Sequence, residues 1–166
     1  MSANDKNKVT ILRLRRQKRE KTPTVITTAY DYPQARIADG AGVDCILVGD
    51  SLGMTTLGYK TTILGLTPHT RAKLGGYRVQ GKTAKQTEII LQQALDLQEA
   101  GCSFLLLEGM PRESAEIIAK ELKIPVYGIG AGDKVDGQLV IFHDLMGLFW
   151  EFKSKFVKRY CEAGQI

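Results

Sequence analysis

The chain has 166 residues, of which 43% are apolar and 25% are charged. This length suits one domain with a hydrophobic core and is short for two. No apolar run approaches the roughly 20 residues that cross a bilayer, which excludes a membrane span and a membrane partner. The first residues lack the apolar segment of a secretory signal, so we expect a cytoplasmic protein.

Positive charge is concentrated near the start of the chain. The net charge is +5, and much of the excess lies within residues 6–21. A basic segment can contact nucleic acid, but no interleaved aromatic residues or RNA-binding motif accompany this one. The segment also has an apolar side, at Val9, Ile11, Leu12 and Leu14. A solvated helix face is therefore the preferred interpretation, and we expect no nucleic-acid partner.

Short apolar strands alternate with helical segments along the rest of the chain. Apolar runs predict five strands, at residues 24–31, 44–51, 103–109, 124–132 and 137–144. Helical spacing and stop signals predict helices at residues 32–43, 85–101, 111–123 and 149–166. The longest predicted loop covers residues 58–83. This alternation indicates right-handed βαβ units and a mostly parallel sheet.

Polar residues follow the predicted strands at the ends where parallel sheets bind ligands. They are Asp31, the pair Asp50 and Ser51, Glu108, the glycine-rich turn 128–132, and the pair His143 and Asp144. Acidic groups gathered at one mouth repel each other unless a cation balances them. Carboxylate oxygens favour a hard divalent ion, so the pattern predicts Mg²⁺.

Two features of this rim have alternative interpretations. The turn 128–132 lacks the Gly-x-Gly-x-x-Gly spacing of a dinucleotide site, which favours a close backbone approach over a phosphate cradle. His143 is predicted to end the fifth strand, where either a substrate contact or a hydrogen-bonded structural histidine is possible.

Several segments match the motifs of one enzyme family when they are taken in order. They are "VITTAYDYPQARIADGAGVDCILVGDSLGMTTLGY", "LGLTPHTRAKLGGYRVQGKT", "LLLEGMP", "IPVYGIGAGDKVDGQLVIFHDLMGL" and "KFVKRY". From Val9 onward the chain closely resembles ketopantoate hydroxymethyltransferase, also called 3-methyl-2-oxobutanoate hydroxymethyltransferase. The ordered set of "ITTAYD", "LVGDSLGM", "GGYRVQG" and "GIGAG" is highly specific, although each motif alone is weak.

The resemblance implies a cytoplasmic, homo-oligomeric (β/α)₈ TIM barrel of the pantothenate and coenzyme A pathway. It implies transfer of a hydroxymethyl (one-carbon) group from 5,10-methylenetetrahydrofolate to 3-methyl-2-oxobutanoate, giving 2-dehydropantoate. By motif position, Asp50 corresponds to a Mg²⁺ ligand, and Asp50 with Ser51 corresponds to the corner that holds the keto acid. Glu108 corresponds to the catalytic base that removes the C3 proton.

The chain departs from the family by lacking an internal stretch between residues 62 and 63. A (β/α)₈ barrel typically needs about 250 residues, and full-length members carry further strands there, with a second Asp ligand, a Lys and a Glu. We therefore expect one domain over residues 1–166 without the middle strands. This incomplete TIM-type α/β barrel would have about five parallel strands with flanking helices. Since the eighth barrel strand neighbours the first, the predicted sheet order is sixth, seventh, eighth, first, second.

Two functions stay open for such a chain. The first is the one-carbon transferase itself, with catalysis predicted to be weak or absent because one metal ligand makes a poor Mg²⁺ site. Asp31 is the candidate replacement for the second ligand. The other function is that of a catalytically inactive remnant or isoform, acting only through association with other subunits. Metal-dependent enzymes of the phosphoenolpyruvate mutase type share the barrel, but the "GGYRVQG" motif argues against them.

Overall fold

A computed structural model describes residues 8–49, 79–148 and 153–165 of the chain. The described residues divide into two compact units. Unit 1 takes its residues from Met1–Val25 and Gly81–Gln138, and unit 2 takes its residues from Ile26–Gln80 and Leu139–Ile166. The expectation of a single domain over residues 1–166 stays a prediction.

Five parallel strands form one sheet. The strands are β1 (Thr24–Thr28), β2 (Cys45–Leu47), β3 (Leu105–Glu108), β4 (Val126–Ile129) and β5 (Gly137–Val140). Their order is β2-β1-β5-β4-β3, which is the predicted order of barrel strands read from the opposite edge. Among the described strands, β2 and β3 form the two edges and do not pair with each other. The predicted α/β class and incomplete barrel are therefore confirmed.

Helices alternate with the strands as predicted. They are α1 (Ile11–Glu20), α2 (Tyr32–Gly40), α3 (Ala84–Glu99), α4 (Arg112–Glu121) and the short α5 (Phe142–Met146). The first three begin at a side-chain oxygen that accepts a backbone N–H, supplied by Thr10, Asp31 and Thr83. No helix in the described ranges is both long enough and apolar enough to span a membrane.

The tail does not form the predicted amphipathic helix over its described residues. Within residues 153–165, the helical structure is a single 3₁₀ turn at Ala163–Gln165. The backbone N–H of Tyr160 donates to the carbonyl of Leu145 at 2.9 Å, and that of Gly164 donates to Gly147 at 3.1 Å. Because these donors bond to carbonyls about 15 residues earlier, they are not available for α-helical bonds.

The hydrophobic core of unit 1 lies between the sheet and its helices. Leu107 of β3 and Val126 of β4 are buried against Ile118 of α4 and Ala94 of α3. Side chains alternate between the two faces of a strand, so Leu106 and Glu108 point away from this core. Both are exposed. Packing of the helices therefore decides which face of β3 carries its carboxylate.

A close backbone approach at the start of β5 makes Gly137 intolerant of a side chain. A Cβ at this position would collide with the carbonyl oxygen of Thr24 and lie 2.8 Å from the Thr24 Cβ. We expect Gly137→Ala to lower the free energy of unfolding by about 2 kcal/mol, because overpacking forces the backbone to shift. Urea denaturation monitored by circular dichroism measures this change.

Gly40 is the matched control for this substitution. It ends α2, and a Cβ there would meet no atom within 4 Å. We expect Gly40→Ala to be neutral or to stabilise the protein by up to about 1 kcal/mol, because alanine loses less conformational entropy in a helix. Equal destabilisation by the two substitutions would contradict the steric explanation for Gly137.

Candidate active site

Glu108 is the last residue of β3. It pairs in register with Ile129, the last residue of β4, and its side chain is exposed. The strand therefore delivers a carboxylate to the carboxyl edge of unit 1, which is the edge where barrel enzymes carry their catalytic residues. This is the location that a catalytic base requires, and the role itself stays a prediction.

The chain turns sharply after Glu108 and is held close to β4. Gly109 has a φ of 57°, and its N–H donates to the carbonyl of Ile129 at 2.9 Å. Pro111 and α4 follow at once. This bond extends the pairing of the two strands by one residue, so it restricts the direction in which the Glu108 backbone leaves the sheet.

The glycine-rich turn after β4 approaches α4 closely. Gly132 has a φ of +80°, and a Cβ there would lie 2.6 Å from the Cβ of Arg112. The side chain of Arg112 pairs with Asp133, with Nε and Oδ1 2.6 Å apart. Both side chains are exposed, so the ion pair adds little stability. The turn thus packs closely against α4, whereas the predicted close approach to the barrel mouth stays a prediction.

In unit 2, Asp31 follows β1 and caps α2. Its Oδ1 accepts the backbone N–H of Gln34 at 2.8 Å, and its Oδ2 accepts the Nε2 of the same residue at 3.0 Å. The Gln34 Oε1 in turn accepts the N–H of Tyr30, the residue before the cap, at 3.1 Å. Both carboxylate oxygens of Asp31 accept hydrogen bonds from Gln34, so the residue has a structural role as a helix cap, and its role as a metal ligand stays a prediction.

His143 does not end a strand, so that part of the sequence prediction is wrong. β5 ends at Val140, and His143 lies in α5. The N–H of Phe142 donates to the Thr28 hydroxyl at 3.1 Å instead of to a strand carbonyl. The His143 ring is half-buried, 5.4 Å from that of Tyr30, and its Nδ1 has no hydrogen-bond partner in the described ranges.

The location of His143 makes its titration predictable. Burial lowers its pKa, and the charge of Asp31, which acts in the opposite direction, does not cancel this effect. An imidazole in the unfolded chain titrates near 6.5, so the unfolded state binds more protons below that pH. We therefore expect stability to fall as the pH drops from about 7 through 6.5 and to level off below the folded pKa.

An NMR titration of the ring protons measures this pKa directly. The chain has 2 histidines, so the variant His143→Gln assigns the two resonances. Unfolding experiments at pH 7.5, 6.0 and 5.0 should give a smaller acid-induced loss of stability for the variant. Titration of His143 at or above 6.5 in the folded protein would contradict the prediction.

Asp144 has a structural partner in the tail. It is buried, and its Oδ2 accepts the hydroxyl of Ser154 at 3.2 Å. Burial raises its pKa, against the opposing effects of the Ser154 hydrogen bond and the charge of Arg159. The contact between Asp144 and Ser154 helps to hold the tail against α5, which sequence reasoning missed because the two residues lie in different predicted elements.

The predicted corner at Asp50 and Ser51 lies outside the described residues. Within the described ranges, no three His, Cys, Asp or Glu side chains come together as a metal site requires. The prediction of Mg²⁺ depends on Asp50 and on ligands that the substrate or other parts of the chain would supply.

The fold and the position of Glu108 define an α/β protein of incomplete TIM-barrel type with an acidic group at the carboxyl edge of a strand. The chain belongs to the ketopantoate hydroxymethyltransferase family, whose profile matches residues 8–64 and 63–166. It is therefore a member of an enzyme family of hydroxymethyltransferases, as the motifs had predicted.

Relatives named 3-methyl-2-oxobutanoate hydroxymethyltransferase are similar over most of the chain. The protein from Thermus thermophilus is 34% identical over 221 residues, covering 86% of this chain and 85% of the relative. The protein from Koribacter versatilis is 31% identical over 241 residues, covering 97% of this chain and 82% of the relative. Both alignments are longer than the 166 residues of this chain, so the relatives contain positions that have no counterpart here.

Proposed function

We propose that this chain transfers a hydroxymethyl group from 5,10-methylenetetrahydrofolate to 3-methyl-2-oxobutanoate, giving 2-dehydropantoate in pantothenate biosynthesis. The family membership and the names of the relatives support this reaction. The observation that carries the proposal for this chain is the exposed carboxylate of Glu108 at the carboxyl end of β3.

In this proposal Glu108 is the general base. Its carboxylate takes the C3 proton of 3-methyl-2-oxobutanoate, and the carbon nucleophile that remains forms a bond to the methylene carbon of the folate. Both carbon–nitrogen bonds of that methylene break, one replaced by the new carbon–carbon bond and the other by water, which supplies the hydroxyl oxygen, and tetrahydrofolate leaves. Asp50 and Ser51 hold the keto acid, and Asp50 also binds Mg²⁺. When bound, Mg²⁺ supplies Lewis-acid polarisation of the keto group. Removal of the C3 proton is the step assigned to Glu108, which lies within the described ranges, whereas Asp50 and Ser51 lie outside them.

Two further properties belong to the same proposal. We propose that the protein works in the cytoplasm and that it is a homo-oligomer. Its other partners are its small-molecule substrates. The unpaired outer edges of β2 and β3, within the described part of the sheet, are consistent with contacts to other subunits. Size-exclusion chromatography with light scattering measures the oligomeric state. A monomer at micromolar concentration would contradict the proposed homo-oligomer.

Proton exchange at C3 of 3-methyl-2-oxobutanoate tests the proposed chemistry. The substrate is incubated with protein in D₂O, with Mg²⁺ or with EDTA, and the loss of the C3 proton signal is followed by NMR. The experiment needs no folate, so it isolates the step assigned to Glu108. We expect exchange above the rate without protein, and more of it with Mg²⁺.

A second candidate function is association with other subunits without catalysis. The observation that favours it is that alignments to the relatives are longer than this whole chain. A folded sample that produces no exchange, but that co-elutes with an intact family member, would support this candidate and contradict the transferase proposal. Exchange by the chain alone would exclude a purely associative role.

A further inference from the structure

A basic cavity of about 180 Å³ lies in unit 1, at the amino-terminal edge of its strands. The ends of α1 and α4 and the loop before β5 form its walls. Its charged lining consists of Lys18, Lys21, Lys120, Lys134 and Asp136. This edge is opposite to the edge that carries Glu108, so the reaction proposed above does not use the cavity.

Two of the four lysines are committed to partners inside unit 1. Lys18 Nζ lies 2.6 Å from Asp136 Oδ2 and donates to the carbonyl of Ala119 at 2.8 Å. Lys120 pairs with Glu116 at 2.8 Å, one turn earlier in α4. Asp136 is the carboxylate in the lining, and Lys18 neutralises it, while Glu116 lies outside the lining and is paired with Lys120.

Lys21 and Lys134 have no carboxylate within 4 Å in the described ranges, as the ion pairs there involve other residues. The carboxyl ends of α1 and α4 each contribute roughly half a negative charge. The four lysines outweigh the negative charges of Asp136, Glu116 and the two helix ends. A net positive charge of about one therefore remains at the cavity.

Lys21 occupies a position where glycine is the usual residue. It caps the end of α1 with φ 54° and ψ 32°, in the left-handed region. A residue with a Cβ is disfavoured in this conformation, and helices commonly use glycine there. Glycine would satisfy the backbone equally well but would remove one of the two uncommitted ammonium groups from the cavity.

We propose that this cavity is a binding site for a small phosphate-type oxyanion, either inorganic phosphate or a phosphomonoester. Lys21 and Lys134 supply the charge-assisted hydrogen bonds to the ligand, and the pairing of Lys18 with Asp136 holds the cavity wall in place. The ligand is bound at the amino-terminal edge of unit 1 and is distinct from the substrates of the proposed reaction.

Titration of the full ¹⁵N-labelled chain tests this site. Inorganic phosphate and glycerol 3-phosphate are added separately, with sodium chloride at matched ionic strength as the reference. We expect saturable shifts of backbone amides beside the cavity, such as Thr22 and Val135, with at least one phosphate probe but not with chloride. Tighter binding of the ester would identify a phosphomonoester ligand, and tighter binding of phosphate would identify the free ion.

Two variants and a control separate binding from folding. Lys21→Gly and Lys134→Gln are each expected to raise Kd about tenfold, the effect of losing one charge-assisted hydrogen bond. Lys21→Gly relieves the left-handed conformation, so its thermal stability should equal or exceed that of the parent. Lys85→Gln, on exposed α3 surface, is the control and should leave Kd unchanged. Equal shifts with chloride, or equal weakening by the control, would overturn the proposal.

Discussion

Replacing Glu108 by glutamine is expected to slow C3 proton exchange of 3-methyl-2-oxobutanoate by about 10²–10⁴-fold, the usual contribution of a positioned general base. Glutamine keeps the size and shape of the side chain but has no basic carboxylate. Because the side chain is exposed at the end of β3, the substitution should leave the fold intact. The NMR exchange assay in D₂O measures the rate, and thermal unfolding tests the stability.

Glu121→Gln is the matched control for this experiment. Glu121 is also exposed and also ends an element of unit 1, the helix α4. The substitution Glu121→Gln therefore removes one negative charge from unit 1, as Glu108→Gln does, but leaves the end of β3 unchanged. If the two variants exchange the C3 proton equally fast, Glu108 is not the base, even if the chain as a whole is active.

Replacing Asp136 by alanine is expected to lower the free energy of unfolding by about 3 kcal/mol, as for other ion pairs shielded from solvent. The Lys18 and Asp136 side chains are only 15% and 18% exposed. Asp136 Oδ2 also accepts the N–H of the fully buried Val126 at 2.8 Å. Its loss would therefore leave the Lys18 ammonium without its counter-ion and the Val126 amide without its acceptor. Urea denaturation measures the change.

The exposed pair of Arg16 and Glu20 provides the comparison. Its atoms are 3.9 Å apart, and its side chains are 60% and 58% exposed. Glu20→Gln should cost no more than about 0.5 kcal/mol, because solvent screens exposed charges. Adding Lys18→Met to Asp136→Ala should recover part of the loss, with a coupling energy of about 2 kcal/mol. Additive effects of these two substitutions would show that the pair is not coupled.

The two edges of unit 1 thus carry different kinds of residue. Asp136 and Lys18 bind elements together at the amino-terminal edge, where a loss should reduce stability. Glu108 lies at the carboxyl edge, where a loss should reduce activity. This division is common in parallel α/β folds, since loops at the carboxyl ends of strands carry chemistry and the opposite face contributes stability.

Local sequence signals located most helices and all five strands. The spacing of apolar residues in α3 and the proline before α4 indicate helices directly, because these patterns reflect short-range geometry. The sheet order followed from the family motifs and from barrel closure, not from the strands themselves. Glu108 was identifiable because an acidic residue directly after an apolar run is costly unless it reaches solvent or a ligand.

Other features depended on contacts between residues far apart in the chain. Sequence could not show that β5 stops at Val140, because the apolar run continues and the stop depends on the bond from the Phe142 N–H to the Thr28 hydroxyl. It could not show that Asp144 is held by Ser154, because the two residues lie in different predicted elements.

The amino-acid sequence by itself therefore determined the family, the alternation of strands and helices, and the candidate base Glu108. The alternation depends on spacing within short segments, whereas the family and the candidate role of Glu108 follow from the resemblance of the ordered motifs. Only the tertiary structure decided the roles of Asp136 and Asp144 and the irregular path of the tail. Charged and hydrogen-bonding side chains have several possible partners, and packing selects one of them by bringing distant segments within about 3 Å.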